Sequence, residues 1–434
     1  MRINQDRRVV VTGMATINPL GDTLEAYHRN LLAGKSGIRK WTTLKLDSIE
    51  CTIGGDLGDY DVVAALDRLK GLIPDPLYLK VRKLFRTCTF SNKMTALCAM
   101  NAYLDAGLFG AQSADLDPFR TSVLLAGHNF NSRYVNKNHD QFNVDPTYID
   151  PLLGVEGLDQ NIAATVSEVL SVKGPVCTIG AACASGNYAL RDGFRDIVMG
   201  ECDRSVVAGA PFDMAETDMQ AMVFLNSIVI DPRFQDRPEK ASRPFDTQRC
   251  GFLPSHGSAV IILEELQCAL ERGARIYAEL LNVKANADAC HLPSPSSENQ
   301  KRLIVDLLKS VDVAPESVDY VNCHATSTPL GDLEEIKAIK AAFGSHAHKL
   351  KLNAPKSMLG HTCWAAPLVE SVGAILQMNG GVLHPSINID KLDPAVDLDV
   401  CANETRRCDV RYMLKNSFGF GGLNCCSLYK RFEG

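Results

Sequence analysis

The 434-residue chain has no run of about 18 apolar residues, so no membrane-spanning helix is expected of it. It has no C-x-x-C pair, which removes the usual structural zinc pattern. No Gly-x-Gly-x-x-Gly follows its first strand-like run, and no phosphate-loop pattern occurs, so nothing points to nucleotide binding. No strongly basic or acidic block occurs. The formal net charge is −6 and no basic face marks a nucleic-acid binder. No low-complexity linker divides the sequence. Cysteine, by contrast, is abundant at fifteen residues. An odd count in a large chain fits reduced thiols in a cytoplasm better than a disulfide framework. The opening Met-Arg-Ile-Asn-Gln-Asp-Arg-Arg followed by Val-Val-Val-Thr-Gly reads as charge and then a first strand, too short for a signal-peptide core. Most of the cysteines are expected to be small core hydrophobes.

With 46% hydrophobic residues the chain can bury a large core, in two domains or one duplicated architecture. Short apolar or β-branched runs alternate with longer amphipathic ones, the pattern of an α/β protein. Strands are predicted at Arg8–Gly13, Thr121–Gly127, Ser205–Ala210 and Ser258–Glu264, then at Arg275–Ala285, Asp319–His324, Lys349–Asn353, Tyr412–Phe418 and Cys425–Tyr429. Helices are predicted at Leu24–Ala33, Phe90–Ala106, Asn161–Val172, Ala184–Met199, Glu298–Val311, Leu333–Phe343 and Ala365–Met378. The two sets have similar content and meet near residues 265–275, dividing the chain into 1–265 and 266–434.

One cysteine stands apart. In Gly174-Pro-Val-Cys-Thr-Ile-Gly-Ala-Ala-Cys183-Ala-Ser-Gly a short strand runs into small residues, then Cys183, then a helix. Small neighbours permit the sharp strand-to-helix turn that lifts a nucleophile out of the packed layer. A helix N-terminus there favours a thiolate. Cys177, earlier on the strand, is read as a buried structural residue.

Two histidines share that setting. His324 ends the apolar run Val318-Asp-Tyr-Val-Asn-Cys and precedes Ala-Thr-Ser-Thr-Pro-Leu-Gly-Asp332-Leu-Glu-Glu335. Asp332 and Glu335 have capping-box spacing, so a helix is expected to begin near Asp332. His361 follows Asn353-Ala-Pro-Lys356-Ser-Met-Leu-Gly and precedes an Ala-rich helix. His256, His291 and His384 lack such company and are read as satisfied or solvated. A cysteine and two histidines at three strand–loop–helix junctions fit Cys/His catalysis. The glycine-rich Asn416-Ser-Phe-Gly-Phe420-Gly421-Gly422-Leu-Asn424 can bring a backbone N–H close to a ligand, and with the Cys183 N–H it would form an oxyanion hole.

In this order, the segments resemble the elongating β-ketoacyl-acyl carrier protein synthases of the thiolase superfamily, over essentially the whole chain. Arg8-Val-Val-Val-Thr-Gly-Met-Ala, Asn18-Pro-Leu-Gly and Ser242-Arg-Pro-Phe-Asp also match that family. The resemblance implies a thiolase fold of duplicated βα halves in five α-β-α-β-α layers. It also implies an acylated nucleophile at Cys183 and an enolate held by His324 and His361. Lys356 and Glu335 match its supporting lysine–glutamate pair, and Phe420 its gating phenylalanine, next to Gly421. No metal or dissociable cofactor is implied, because the phosphopantetheine arm arrives on an acyl carrier protein. The resemblance further implies a homodimer, or a heterodimer with a related subunit, and carrier docking on the basic stretch with Arg82, Lys83 and Arg86.

Departures lie beside the centre. The family's His-Gly-Thr is His324-Ala325-Thr326 here. Trp364-Ala-Ala-Pro367 replaces Gly-Ala-Ala-Gly, and Leu423 replaces a threonine. Cys250 and His256 replace an aspartate and a position within Gly-Glu-Gly. No catalytic group is lost, so a specialised synthase of polyketide or other secondary pathways is expected. A malonyl-carrier decarboxylase or a non-elongating partner subunit is the alternative, and both kinds of relative typically lack the cysteine. A thiolase would place a second cysteine before the glycine run, whereas Cys425 and Cys426 follow it.

Overall fold

The computed structural model describes residues 7–110 and 116–434. The charged opening, Met1–Asp6, lies outside the described residues. Ten strands make the main sheet. They are β1 (Val9–Ile17), β2 (Thr121–Ala126), β3 (Val176–Ile179), β4 (Arg204–Gly209), β5 (Ser258–Glu265), β6 (Ala278–Ala287), β7 (Tyr320–Asn322), β8 (Lys351–Asn353), β9 (Tyr412–Gly419) and β10 (Leu423–Lys430). Their spatial order is β8-β7-β9-β10-β6-β1-β5-β4-β2-β3.

That order is a repeat. From the seam outward one set runs β1-β5-β4-β2-β3 and the other β6-β10-β9-β7-β8. In each set the first two pairings are antiparallel and the last two parallel. The sets join through a short antiparallel contact of Val9–Val11 with Ala278–Leu280.

Six helices complete the repeat, at equivalent places in chain order. They are α1 (Phe90–Asp105), α2 (Gln160–Leu170), α3 (Ser185–Val198), α4 (Ser297–Lys309), α5 (Pro329–Phe343) and α6 (Ala366–Gly380). Helices α3 and α6 pack on each other and on strands of both sets, which makes them the middle layer. Helices α1 and α2 cover the outer face of the first set; α4 covers the second, with α5 packed beside it. The layers are therefore α-β-α-β-α.

Sequence pattern follows layer. Every residue of β5, Ser-Ala-Val-Ile-Ile-Leu-Glu-Glu, is buried, as a strand covered on both faces requires. Helix α6 is apolar almost all round, with Glu370 its only charged residue, and nearly all of it is buried. Helix α4 faces solvent and shows the one-sided stripe Leu303, Ile304, Leu307 and Leu308. Fully burying each such side chain contributes roughly 1.5–3 kcal/mol.

Several boundaries differ from the sequence reading. Strand β1 continues to Ile17 past a bulge between Val11 and Gly13. A Cβ at Gly13 would lie 2.6 Å from Ala102 O of α1, so only glycine lets this helix sit so close. Helix α5 begins at Pro329, not near Asp332, because proline is pre-set for the first helical turn. Cys177 is exposed, not buried, because β3 is an edge strand. Among the described residues no helix is long and apolar enough to cross a membrane.

Candidate active site

Cys183 and His324 follow the C-terminal ends of the parallel strands β3 and β7, and His361 lies beyond β8 after a short helix, Lys356–Leu359. Strand ends of this kind are where open α/β sheets place their ligands.

The chain turns sharply before Cys183. Ala182 has φ +46°, and a short 3-10 turn, Ala182–Ala184, leads into α3. Ser185 locks the turn, donating from Oγ to Ala182 O at 2.7 Å and accepting from Ala181 N at 2.8 Å. The β9–β10 hairpin closes over it. A Cβ on Gly419 would stand 2.9 Å from Ala181 O and 3.2 Å from Cys183 N, so the approach requires glycine. Gly421 and Gly422 carry φ of +80° and +68°, which lets the hairpin turn directly after Phe420. The backbone N–H groups of Phe420 and of Cys183 itself both act on the Cys183 sulfur.

The expected resting thiolate is not what this environment favours. Burial pushes the Cys183 thiol up to about 11, outweighing the Lys356 charge and the two N–H groups that bring it down.

Both imidazoles have fixed tautomers. The Lys356 ammonium donates to His324 O at 2.7 Å and lies 3.4 Å from its Nδ1. Cys363 N–H donates to His361 Nδ1 at 3.1 Å. With each Nδ1 accepting, the ring proton sits on Nε2. His361 Nε2 is buried with no hydrogen-bond partner among the described residues. The rings stand edge to face, their centroids 5.5 Å apart. Burial, and then the Lys356 charge, holds both well below the ordinary histidine range.

The charges behind the rings differ from the pairing expected. Lys356 pairs with Glu370 of α6 at 2.6 Å, not with Glu335. Glu335 is fully engaged elsewhere, accepting from His324 N at 2.8 Å, Ala325 N at 2.7 Å and Asn416 Nδ2 at 2.9 Å. Asp332 likewise accepts from Ser327 N and Phe245 N, both at 3.0 Å, so neither carboxylate caps α5. Burial lifts Asp332 to about 7. The second lysine on Glu370 is Lys415, also at 2.6 Å. Glu370 and Lys415 were missed in the sequence. Each is the only charged residue of an otherwise apolar or neutral element, and that isolation was the available signal.

Cys183, His324, His361, Phe420, Thr326 and Thr328 line one cavity of about 270 Å³. Phe420 is 37% exposed at its mouth, facing Phe252. Ala325 is buried with φ +22°, a backbone angle that the glycine it replaces would adopt freely. The Trp364 turn packs on the Cys183 turn, with the indole stacked on His128 at 4.3 Å and near Phe212 at 5.3 Å. Pro367 falls in the first turn of α6, where the missing N–H costs nothing. His256 is buried between Trp41 and Phe90 and accepts from Leu57 N at 3.1 Å, a structural role. Leu423 pairs with Gly419 at the hairpin base. Arg82, Lys83 and Arg86 are exposed on and just after a helix, Asp75–Leu84, and Arg82 is partly engaged by Asp67 and Tyr78.

Five layers with a cysteine and two histidines at the strand ends define a thiolase-fold protein of ketosynthase type, and solved ketosynthases share the architecture. The chain belongs to the beta-ketoacyl synthase family: residues 6–269 match the N-terminal domain and residues 277–390 the C-terminal domain. It is 32% identical over 435 residues to a 3-oxoacyl-[acyl-carrier-protein] synthase 2 of Synechocystis sp., covering 99% of each chain. It is 33% identical over 424 residues to the protein of the same name from Coxiella burnetii, covering 97% of each. Among solved structures it is similar to the ishigamide ketosynthase/chain length factor, with TM-score 0.85, 28% identity and coverage of 98% and 99%. It is also similar to a type II PKS acyl-carrier protein in complex with its ketosynthase bound to the hexaketide, with TM-score 0.85, 25% identity and coverage of 99% and 100%.

The two imidazoles should be neutral under conditions where ordinary histidines charge. Histidine-selective NMR titration is expected to place the midpoints of His324 and His361 below 6.5. Lys356→Met, which removes a nearby cation, should raise both. A wild-type midpoint at or above 6.5 for either ring would contradict the geometry.

Proposed function

We propose that the protein is a β-ketoacyl-acyl carrier protein synthase that condenses an acyl thioester with malonyl-acyl carrier protein through acyl-Cys183. One observation carries the reading: two imidazoles, each with its Nδ1 facing a protein donor, line the same cavity as a cysteine flanked by two backbone N–H groups.

In the first half-reaction the Cys183 sulfur attacks the acyl carbonyl of the carrier thioester. The oxyanion accepts from Cys183 N–H and Phe420 N–H, the carrier C–S bond breaks, and the thiol proton leaves with the carrier sulfur. Donors fixed in advance cost no reorganisation when charge develops. In the second, the malonyl thioester carbonyl accepts from His324 and His361. Its bond to the carboxylate breaks, carbon dioxide leaves, and the electron pair forms an enolate between the two N–H groups. The enolate carbon attacks acyl-Cys183, a carbon–carbon bond forms, the carbon–sulfur bond breaks, and the expelled Cys183 thiolate takes a proton from solvent. Neutral imidazoles suit this work, since each keeps one acceptor for the protein and one donor for the substrate. The pantetheine arm is part of the substrate, and no step needs a metal or a dissociable cofactor.

Cys183 in its donor-lined turn supports condensation over decarboxylation alone or a non-elongating partner role. The Trp364–His128–Phe212 stack supports a specialised acyl preference, as in polyketide or secondary fatty-acid pathways. The bare edge of β3, with Val176 39% exposed, supports a homodimer or a heterodimer with a related subunit. Fifteen free cysteines support a reducing, cytoplasmic setting.

Intact-mass analysis after incubation with acyl thioesters is expected to show an acyl adduct that Cys183→Ala abolishes. Malonyl carrier protein should then yield a product two carbons longer. Carbon dioxide release with neither adduct nor product would overturn the proposal. Trp364→Ala should extend the range of acyl chains loaded on Cys183 toward longer ones, at about 3–5 kcal/mol of stability for the lost ring; an unchanged chain-length profile would remove Trp364 from specificity. Lys83→Glu combined with Arg86→Glu should raise KM for the carrier several-fold and leave kcat unchanged, because rim charges act on encounter.

A further inference from the structure

A second buried lysine lies behind the histidines, and no step above uses it. Lys415 is the only charged residue of β9 and is fully buried. Its ammonium is 2.6 Å from Glu370 Oε2 and donates to Asn416 O at 2.6 Å. The other Glu370 oxygen already has Lys356 at 2.6 Å. One lysine neutralises one buried carboxylate, and a further buried cation is unfavourable unless something offsets it.

The offset is Glu335. Its carboxylate meets only neutral N–H donors, from His324, Ala325 and Asn416, so no ammonium is in contact with it. Asn416 bridges the two systems, donating from Nδ2 to Glu335 and accepting from Lys415 through its carbonyl. Lys356, Lys415, Glu370 and Glu335 together sum to zero. Without Lys415 the same cluster would carry a net negative charge directly behind His324 and His361.

The other groups facing the cluster leave that sum unaltered. The thiols of Cys323, just after β7, and Cys426 on β10 are buried and held high, and Cys426 donates to Asn416 Oδ1 at 3.2 Å. Cys183 is a thiol. Tyr27, from the helix Leu24–Leu32, donates its hydroxyl to Val369 O. Burial holds His384 down at about 4, which keeps it neutral. Arg249 stands 3.8 Å from Asp332, itself lifted to about 7, and has its own partner in Asp393 at 2.9 Å.

We propose that Lys415 is a positioning residue for the decarboxylative half-reaction: it cancels the charge of Glu335, so that the enolate forms against a neutral background. The inference rests on the reaction proposed above. The Lys415 charge also helps to hold both rings neutral, after burial and Lys356.

The test compares Lys415→Met and Lys415→Gln, which remove the charge, with Lys415→Arg, which keeps it. Carbon dioxide release from malonyl-acyl carrier protein is followed against pH, acyl loading of Cys183 by intact mass, and ring titration by NMR. The neutral variants are expected to lose roughly ten- to a hundred-fold in carbon dioxide release, less than the loss of a direct donor. Their acid limb should move up by about one pH unit, with the ring midpoints moving alike. Lys415→Arg should keep the wild-type acid limb. A neutral variant with the wild-type limb and midpoints, or an arginine variant shifted as far as the neutral ones, would overturn the role of Lys415. The two neutral variants differ in polarity, so a folding failure of one leaves the other. If the wild-type protein released no carbon dioxide, the reaction itself would fall, and the ring midpoints would still report on Lys415.

Discussion

A carboxylate held between two ammonium groups anchors this structure. Glu370 rises from the middle helix layer and meets Lys356 beyond β8 and Lys415 on β9. Through Lys356 the contact reaches the His324 carbonyl and ring nitrogen. Through Lys415 it reaches Asn416 and then Glu335, which holds the backbone N–H groups of His324 and Ala325. Such a cluster is costly to bury and more costly to break in part, because one lost partner leaves a charge unpaired. Its members therefore constrain one another, and the histidines inherit that rigidity.

The same burial sets the protonation state of the chemistry. A wet site would leave imidazoles free to charge and a cysteine free to ionise. Here both rings are pressed toward neutrality and the thiol toward its protonated form. The helix N-terminus and nearby lysine act on Cys183 in the opposite sense and do not prevail.

Much of this was legible in the sequence. The alternation of runs yields the α/β class, and small residues around Cys183, His324 and His361 mark the three junctions. Helix existence followed from periodicity, whereas starts such as Pro329 followed from local turn chemistry that periodicity does not report. The ion-pair network was less legible, because pairing across layers depends on which carboxylate has oxygens to spare. Glu335 looked like the partner of Lys356 by resemblance, yet its oxygens are consumed by backbone N–H groups. Glu370 and Lys415 were each visible only as a lone charge in an apolar or neutral stretch. Cys177 was misjudged because a strand's apolar pattern does not reveal whether it lies at an edge.

The repeated strand order has a consequence for the turn that carries Cys183. In the first set Ala182 takes φ +46° and the next residue is Cys183, with α3 opening two residues later. In the second, Cys363 takes φ +49° and the next residue is Trp364, with α6 opening two residues later. The fold thus builds the same elbow twice and arms it once. Where the first elbow presents a thiol, the second presents an indole packed against His128 and Phe212, so one backbone turn serves two different side chains.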